Sequence, residues 1–100
     1  MSKLKIETPG QILKAEWLEP FGLSQYRLAR ELGISEQRVS ELINGRRAIT
    51  LDTALRLSRL FGTSPELWLN LQADFEIRVA ARSGLTRRIE RQIRPIAEAA

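Results

Sequence analysis

The most restrictive feature of this chain is the regular recurrence of signals that start and stop helices. Residues that commonly cap helix N-termini stand at Ser24, Ser35, Thr50 and Ser64. Glycines that can adopt the left-handed conformation of a helix end follow at Gly33, Gly45, Gly62 and Gly84. Since a polar cap favours a helix start and a glycine favours its end, these pairs predict four consecutive helices.

A further helix is predicted before these four. Thr8-Pro9-Gly10-Gln11 supplies a cap, a proline at the first helical position and a Gln three residues after the cap. We predict that this helix stops before Pro20, because proline inside a helix removes a hydrogen bond. Asn44-Gly45 is also a hairpin signal, but its flanks do not alternate with a period of two, so a helix end is favoured. The predicted fold class is all-α, a compact domain of five helices.

The last segment of the chain has a more ambiguous pattern. Leu85, Ile89, Ile93 and Ile96 fit one face of a helix, whereas Ile89, Arg91 and Ile93 fit a short strand equally well. Pro95 interrupts either structure. We therefore predict a helical domain over residues 1–82 and a short tail over residues 83–100, helix or strand, that contacts a second subunit or a partner.

Composition excludes most catalytic and metal sites. The 100 residues contain neither Cys nor His, which rules out disulfides, zinc fingers, thiol nucleophiles and Ser-His-Asp triads. The acidic residues are scattered, so we predict no enzyme, no metal and no cofactor. No apolar run approaches the roughly 20 residues of a transmembrane helix, and Met1 to Glu7 lacks the apolar stretch of a signal peptide. We expect a cytoplasmic protein without a membrane partner.

Charge is unevenly distributed along the chain. The net charge is +4, and 13 of the 16 basic residues are Arg, the side chain suited to forked contacts with phosphates and guanine edges. Residues 24–60 carry +3, whereas residues 61–77 carry −3 and contain no base. A basic segment followed by an acidic one predicts two different contact surfaces.

The segment from Gln25 to Asn44 meets the geometric demands of a helix-turn-helix, with the whole motif spanning residues 24–45. Ala29 is small, as required where two helices cross closely, and Gly33 permits a tight turn. Val39 and Leu42 would place the inner face of the second helix on the core. A helix that presents polar residues near its N-terminus is how this motif reads base edges in the major groove.

The outer face of the second helix provides the candidate base contacts. Gln37 can pair with adenine and Arg38 with guanine, although Arg serves phosphates equally well. Glu36 can accept from a cytosine amino group or orient Arg38. Ser40 and Glu41 lie one turn further on and reach the groove only if the helix enters end-on; Glu41 would otherwise only exclude wrong partners.

Several motifs together resemble the HigA-type antitoxins, whose helix-turn-helix is similar to that of phage repressors. The match begins with Thr8-Pro9-Gly10-Gln11-Ile12-Leu13 and continues through Gly33-Ile34-Ser35 and Ile43-Asn44-Gly45-Arg46-Arg47. The stretch from Ser64 to Gln72, Ser-Pro-Glu-Leu-Trp-Leu-Asn-Leu-Gln, is the most particular to these antitoxins. The resemblance covers residues 8–80, with Thr8 at a position where the family usually has His.

The resemblance implies a repressor of its own operon that is also the antidote to a HigB-like toxin with the RelE-like fold, which cleaves mRNA. It also implies that Gln25 contacts phosphate and that the loop carrying Arg46 and Arg47 follows the DNA backbone. The candidate DNA-binding residues are then Gln25, Ser35, Glu36, Gln37, Arg38, Ser40, Glu41, Arg46 and Arg47.

Three partners and one alternative follow. One recognition helix reads few base pairs, so we expect a homodimer, joined through the fifth helix or the tail, on an inverted-repeat operator. The toxin would dock on residues 61–77 or on the N-terminal segment that contains Trp17. The alternative is a solitary phage-type repressor without a toxin. An RNA-binding role is disfavoured, since the six aromatic residues are too few for a stacking platform and most are expected in the core.

Overall fold

The computed structural model describes residues 5–99, with side chains as far as residue 97. Within this range the chain is helical, as predicted, and no strand is formed. The ends of both predicted regions, residues 1–4 and residue 100, lie outside the described residues. The elements are α1 (Pro9–Leu13), a π-helical turn (Lys14–Leu18), α2 (Glu19–Phe21), α3 (Gln25–Leu32), α4 (Glu36–Ile43), α5 (Leu51–Phe61), α6 (Pro65–Ser83), α7 (Leu85–Gln92) and α8 (Ile96–Ala99).

The predicted caps set the starts of the longer helices. In each case the cap hydroxyl accepts a hydrogen bond from the backbone N–H three residues later, as at Ser24, Ser35, Thr50 and Ser64. Thr8 and Gln11 form the complete reciprocal capping box at the start of α1. Local side-chain chemistry therefore determines where these helices begin.

The prediction that the first helix stops before Pro20 is wrong. The helical path continues to Phe21 and ends at Gly22, whose φ is +64°. A π turn precedes the proline, and in it the N–H of Glu19 donates to the carbonyl of Lys14, five residues earlier. The wider turn relieves the clash between the proline ring and the carbonyl of the preceding turn, so the helix accommodates Pro20.

The core lies between α1, α3, α4, α5 and the first half of α6. Its largest fully buried side chains include Trp68, Leu13, Leu28, Leu42 and Leu57. The indole N–H of Trp68 donates to the hydroxyl of Thr63 over 2.7 Å, so its polar edge is satisfied inside the core. Trp68 is a core residue, as its helical spacing suggests.

The tail is helical, which settles the choice that the sequence pattern left open. α7 packs against α6, and Ile93 then becomes extended, with φ −120° and ψ 126°. Pro95 disfavours a helical conformation for Arg94, the residue directly before it, so α7 does not continue past this point. None of the side chains described on α7 is buried.

Candidate nucleic-acid interface

The two helices of the motif meet as the sequence predicts. Gly33 ends α3 with φ +70°, a conformation that glycine adopts without steric cost. Ala29 is buried where α3 meets α4, and the inner face of α4 buries Val39, Leu42 and Ile43. The polar side of α4 is thereby turned to solvent on a rigid support.

This outer face exposes the predicted residues unequally. Glu36 and Gln37 are exposed in the first turn, whereas Ser40 and Glu41 in the next turn are half-buried. Ser35 caps the helix, because its hydroxyl accepts from the N–H of Arg38 over 3.1 Å. The first turn of α4 is therefore the part most available to a groove.

Glu41 links α4 to the loop that follows it. Its carboxylate accepts two hydrogen bonds from the Arg47 guanidinium, at 2.9 and 2.6 Å, and a longer one of 3.5 Å from the Gln37 amide. The hydrogen bonds from Arg47 are the main cause that lowers the pKa of the Glu41 carboxyl. Three of the nine predicted residues thus form one connected group.

Arg38 does not join this group. Its guanidinium points to α5, where one nitrogen donates to the carboxylate of Asp52 over 2.7 Å and to the hydroxyl of Thr53 over 2.8 Å. The side chain is 26% exposed, and its Nε is buried with no hydrogen-bond partner. The structure therefore holds the Arg38 side chain against α5, whereas Gln37 is exposed on the outer face of α4.

Asp52 and Arg56 complete a network that sequence reasoning missed. Asp52 accepts from Arg56 over 2.9 Å as well as from Arg38, and these hydrogen bonds, Arg56 first, lower the pKa of the Asp52 carboxyl. Arg56 also donates to the carbonyl of Leu32 at the end of α3, over 2.9 Å. The network therefore joins α3, α4 and α5. The spacing of four residues between Asp52 and Arg56 was the available sequence signal.

The loop after α4 carries the predicted phosphate contacts. Arg46 and Arg47 are both exposed. The loop is held from α6 by Gln72, whose side-chain oxygen accepts from the buried N–H of Ile49 over 2.9 Å. Gln72 thus has a structural role.

At the other end of the motif, Gln25 is half-buried in the first turn of α3. Its neighbour Ser24 caps that helix. The end of α3 therefore offers backbone N–H groups beside the Gln25 side chain, an arrangement suited to a phosphate.

Gly10 brings α1 against the end of the recognition helix. A Cβ at this position would lie 1.8 Å from the carbonyl oxygen of Leu42, so only glycine allows the observed approach. α1 therefore contacts α4 at Leu42 and Ile43, on the side of α4 that faces away from Gln37. Its importance was not evident from the sequence, where Gly10 only follows a proline in the first turn.

The described residues were also compared with the requirements of metal sites and of membrane-spanning helices. In the described part of the chain, acidic side chains form no group of three that could hold a metal ion. None of the helices described is both long enough and apolar enough to cross a membrane.

Comparisons with known proteins agree with this geometry. The helix-turn-helix family profile matches residues 15–68. Virulence-associated protein I of Dichelobacter nodosus is 46% identical over 72 residues, which are 72% of this chain and 67% of that protein. The match to a second curated relative, an Escherichia coli helix-turn-helix regulator, covers 65% of its length.

Solved antitoxin structures match over nearly their whole length. The Pseudomonas aeruginosa antitoxin HigA, solved with the higBA promoter, is 36% identical with a TM-score of 0.84, over 92% of this chain and 99% of that one. An antidote protein of the HigA family from Coxiella burnetii is 41% identical with a TM-score of 0.83 and the same coverage. These relatives are DNA-binding regulators and antitoxins rather than enzymes. This chain belongs to the helix-turn-helix family and, within it, to the HigA antitoxins.

Proposed function

We propose that this antitoxin represses its own operon as a homodimer and neutralises a RelE-like, mRNA-cleaving toxin. The observation that carries the DNA-binding part is the polar outer face of α4, held on a rigid support and continued by the exposed Arg46 and Arg47. The similar HigA antitoxin that was solved with its higBA promoter supports DNA binding as such.

The contacts divide into base readers and backbone contacts. Glu36 and Gln37, exposed in the first turn of α4, would face base edges, together with the half-buried Ser40 and Glu41 of the next turn. Gln25, Ser35, Arg46 and Arg47 would follow the phosphates. Arg38 reaches a base only if it leaves Asp52 and Thr53, which hold it in the free chain.

The dimer would form through the second half of α6 and the tail. Residues 1–82 would form the DNA-binding domain, and the end of its last helix, α6, would share the dimer contact with the tail over residues 83–100. Large apolar side chains are exposed here, including Ile77, Val79, Ile89 and Ile93. Two-fold pairing would place two recognition helices on an inverted repeat, with half-sites about one helical turn, roughly 10 bp, apart.

The toxin would use a different surface. A ribonuclease that binds RNA needs a positive surface, so its antidote is expected to offer a negative one. Glu66, Asp74 and Glu76 are exposed on α6 and provide the negative charge of residues 61–77. The second candidate is the N-terminal segment, where Phe21 is 63% exposed and stacks on Trp17 with ring centroids 6.3 Å apart.

Footprinting of the chain on its own promoter tests repression. Protection of two symmetric half-sites is expected. Tight binding of a single half-site by a monomer would refute the proposal that the chain binds DNA as a dimer. The solitary-repressor alternative predicts the same footprint but no toxin in the adjacent gene.

Co-expression with the product of the adjacent gene tests neutralisation. The double variant Gln37→Ala, Arg46→Ala removes two exposed side chains outside the core, so it should fold and lose operator binding. Growth rescue by this variant would support two separate surfaces. Failure of rescue by a folded variant would refute the separation, and failure by the unaltered chain would refute the antitoxin activity towards that product.

A further inference from the structure

The helix proposed to read DNA carries two carboxylates, Glu36 and Glu41, and only Glu41 is paired with an arginine among the ion pairs described. Glu41 lies one helical turn after Gln37 on α4, and its side chain is 29% exposed. DNA presents a dense row of phosphates, so a carboxylate here opposes binding unless a specific interaction compensates for it. The structure shows the compensation in the free chain, which is the double hydrogen bond from Arg47.

We propose that Glu41 is a specificity-determining residue that couples base recognition to phosphate contact. The inference rests on the proposed function of α4 as the DNA-reading helix. While Glu41 holds Arg47, the Nε and one terminal nitrogen of that guanidinium are directed at the carboxylate and not at a phosphate. A donor on the DNA that satisfies the carboxylate favours the release of both.

Base edges differ in whether they can supply that donor. In the major groove cytosine presents its N4 amino group and adenine its N6 amino group, whereas guanine O6 and N7 and thymine O4 are acceptors. At a base pair that aims an amino group at Glu41, the carboxylate is satisfied and Arg47 moves to the backbone. Every base pair carries one such amino group, so the orientation of the pair decides the outcome. Where guanine or thymine faces Glu41 instead, the acceptor atoms repel the carboxylate, which keeps Arg47.

The Gln37 amide strengthens the coupling. It donates to the same carboxylate over 3.5 Å, a long hydrogen bond that a base can replace. The oxygen of the Gln37 amide is then directed away from Glu41. One carboxylate therefore orients a base reader and restrains a phosphate contact.

The test compares the Glu41→Gln variant with the unaltered chain on its own promoter and on scrambled DNA of equal length, at several salt concentrations. Without the charge, Arg47 is released on every sequence. The salt slope on scrambled DNA should rise by about 0.9, and the affinity for it should increase about five- to tenfold at 0.1 M salt. The ratio between promoter and scrambled DNA should fall by a similar factor.

Glu31→Gln is the matched control. Glu31 on α3 also accepts from an arginine, Arg27, over 2.6 Å, so the change in net charge and the loss of an exposed ion pair are the same. We expect Glu31→Gln to leave the promoter-to-scrambled ratio unchanged. If both variants alter the two affinities alike, the effect is one of net charge and the inference is refuted.

The double variant Glu41→Gln, Arg47→Ala assigns the effect to Arg47. The gain on scrambled DNA should disappear, and its persistence would refute the coupling. Circular dichroism establishes that each variant is folded before binding is measured. If the unaltered chain does not prefer its promoter, the proposed function fails, whereas the salt slope on scrambled DNA still decides whether Glu41 restrains Arg47.

Discussion

Replacing Gly10 by Ala tests whether close contact between α1 and α4 supports the recognition helix. The added Cβ would lie 1.8 Å from the carbonyl oxygen of Leu42 and 2.9 Å from the Cα of Ile43. Both atoms belong to the backbone, so no side-chain rotation can relieve the overlap. α1 must therefore move away from α4 by more than an ångström, and Leu13, which is fully buried, must move with it.

The magnitude follows from two opposing effects. Alanine is favoured over glycine inside a helix by about 1 kcal/mol, which would stabilise α1. Overpacking a rigid site costs about 1–3 kcal/mol and occasionally more, and an overlap with backbone places this position at the upper end. We expect a net loss of about 2 kcal/mol in the free energy of unfolding, together with weaker promoter binding.

Urea unfolding followed by tryptophan fluorescence measures this change, since Trp17 and Trp68 both lie in the core region. Gly62→Ala is the control, because Gly62 has φ +72° and no atom within 4 Å of an added Cβ. In that variant the free energy of unfolding should fall only by the conformational cost of a left-handed alanine, about 1–2 kcal/mol. The folded variant should bind the promoter normally. If Gly10→Ala is as stable as the unaltered chain, or more stable, the steric reasoning is refuted.

Three further predictions concern residues in or near the helix-turn-helix. Gln72→Ala should lower the free energy of unfolding by about 1–3 kcal/mol, because it leaves the buried N–H of Ile49 unpaired. The control is Asn70→Ala, since Asn70 is exposed on the same helix, and it should change this free energy by less than about 0.5 kcal/mol. Arg56 and Arg38 lower the pKa of Asp52. The stability that Asp52 provides is therefore present above the ordinary carboxyl pKa and is lost as the pH falls from about 5 towards the pKa of the folded state. Asp52→Asn should reduce this pH dependence in urea titrations, and an unchanged profile would contradict the assignment. Arg46→Ala should weaken binding to promoter and scrambled DNA by the same factor and lower the salt slope by about 1; a loss confined to the promoter would instead make Arg46 a base reader.

The sequence alone determined the helices and the motif. Cap residues and glycines act within three or four residues of their own position, so Ser24, Ser35 and Gly33 could be interpreted without knowing the fold. The periodic apolar residues likewise identified the inner face of α4. The same patterns, with the stretch from Ser64 to Gln72, indicated the HigA antitoxins.

The tertiary structure decided which polar residues are available on the surface. Arg38 and Gln37 are adjacent in sequence, yet Arg38 is held by Asp52, 14 residues away, while Gln37 remains exposed. Gln72 reaches the loop at Ile49 across 23 residues. Such partners depend on how helices pack, which short-range patterns do not encode.

The same distinction explains the error at Pro20 and the unnoticed importance of Gly10. A proline is a reliable stop signal in an isolated helix, but packing of Leu13 and Leu18 in the core stabilises a path that continues through a π turn. Glycine in a first turn is unremarkable until another helix approaches it. The sequence thus specifies the helices through short-range hydrogen bonds and apolar periodicity, whereas the contacts that position the recognition surface arise only when distant segments pack together.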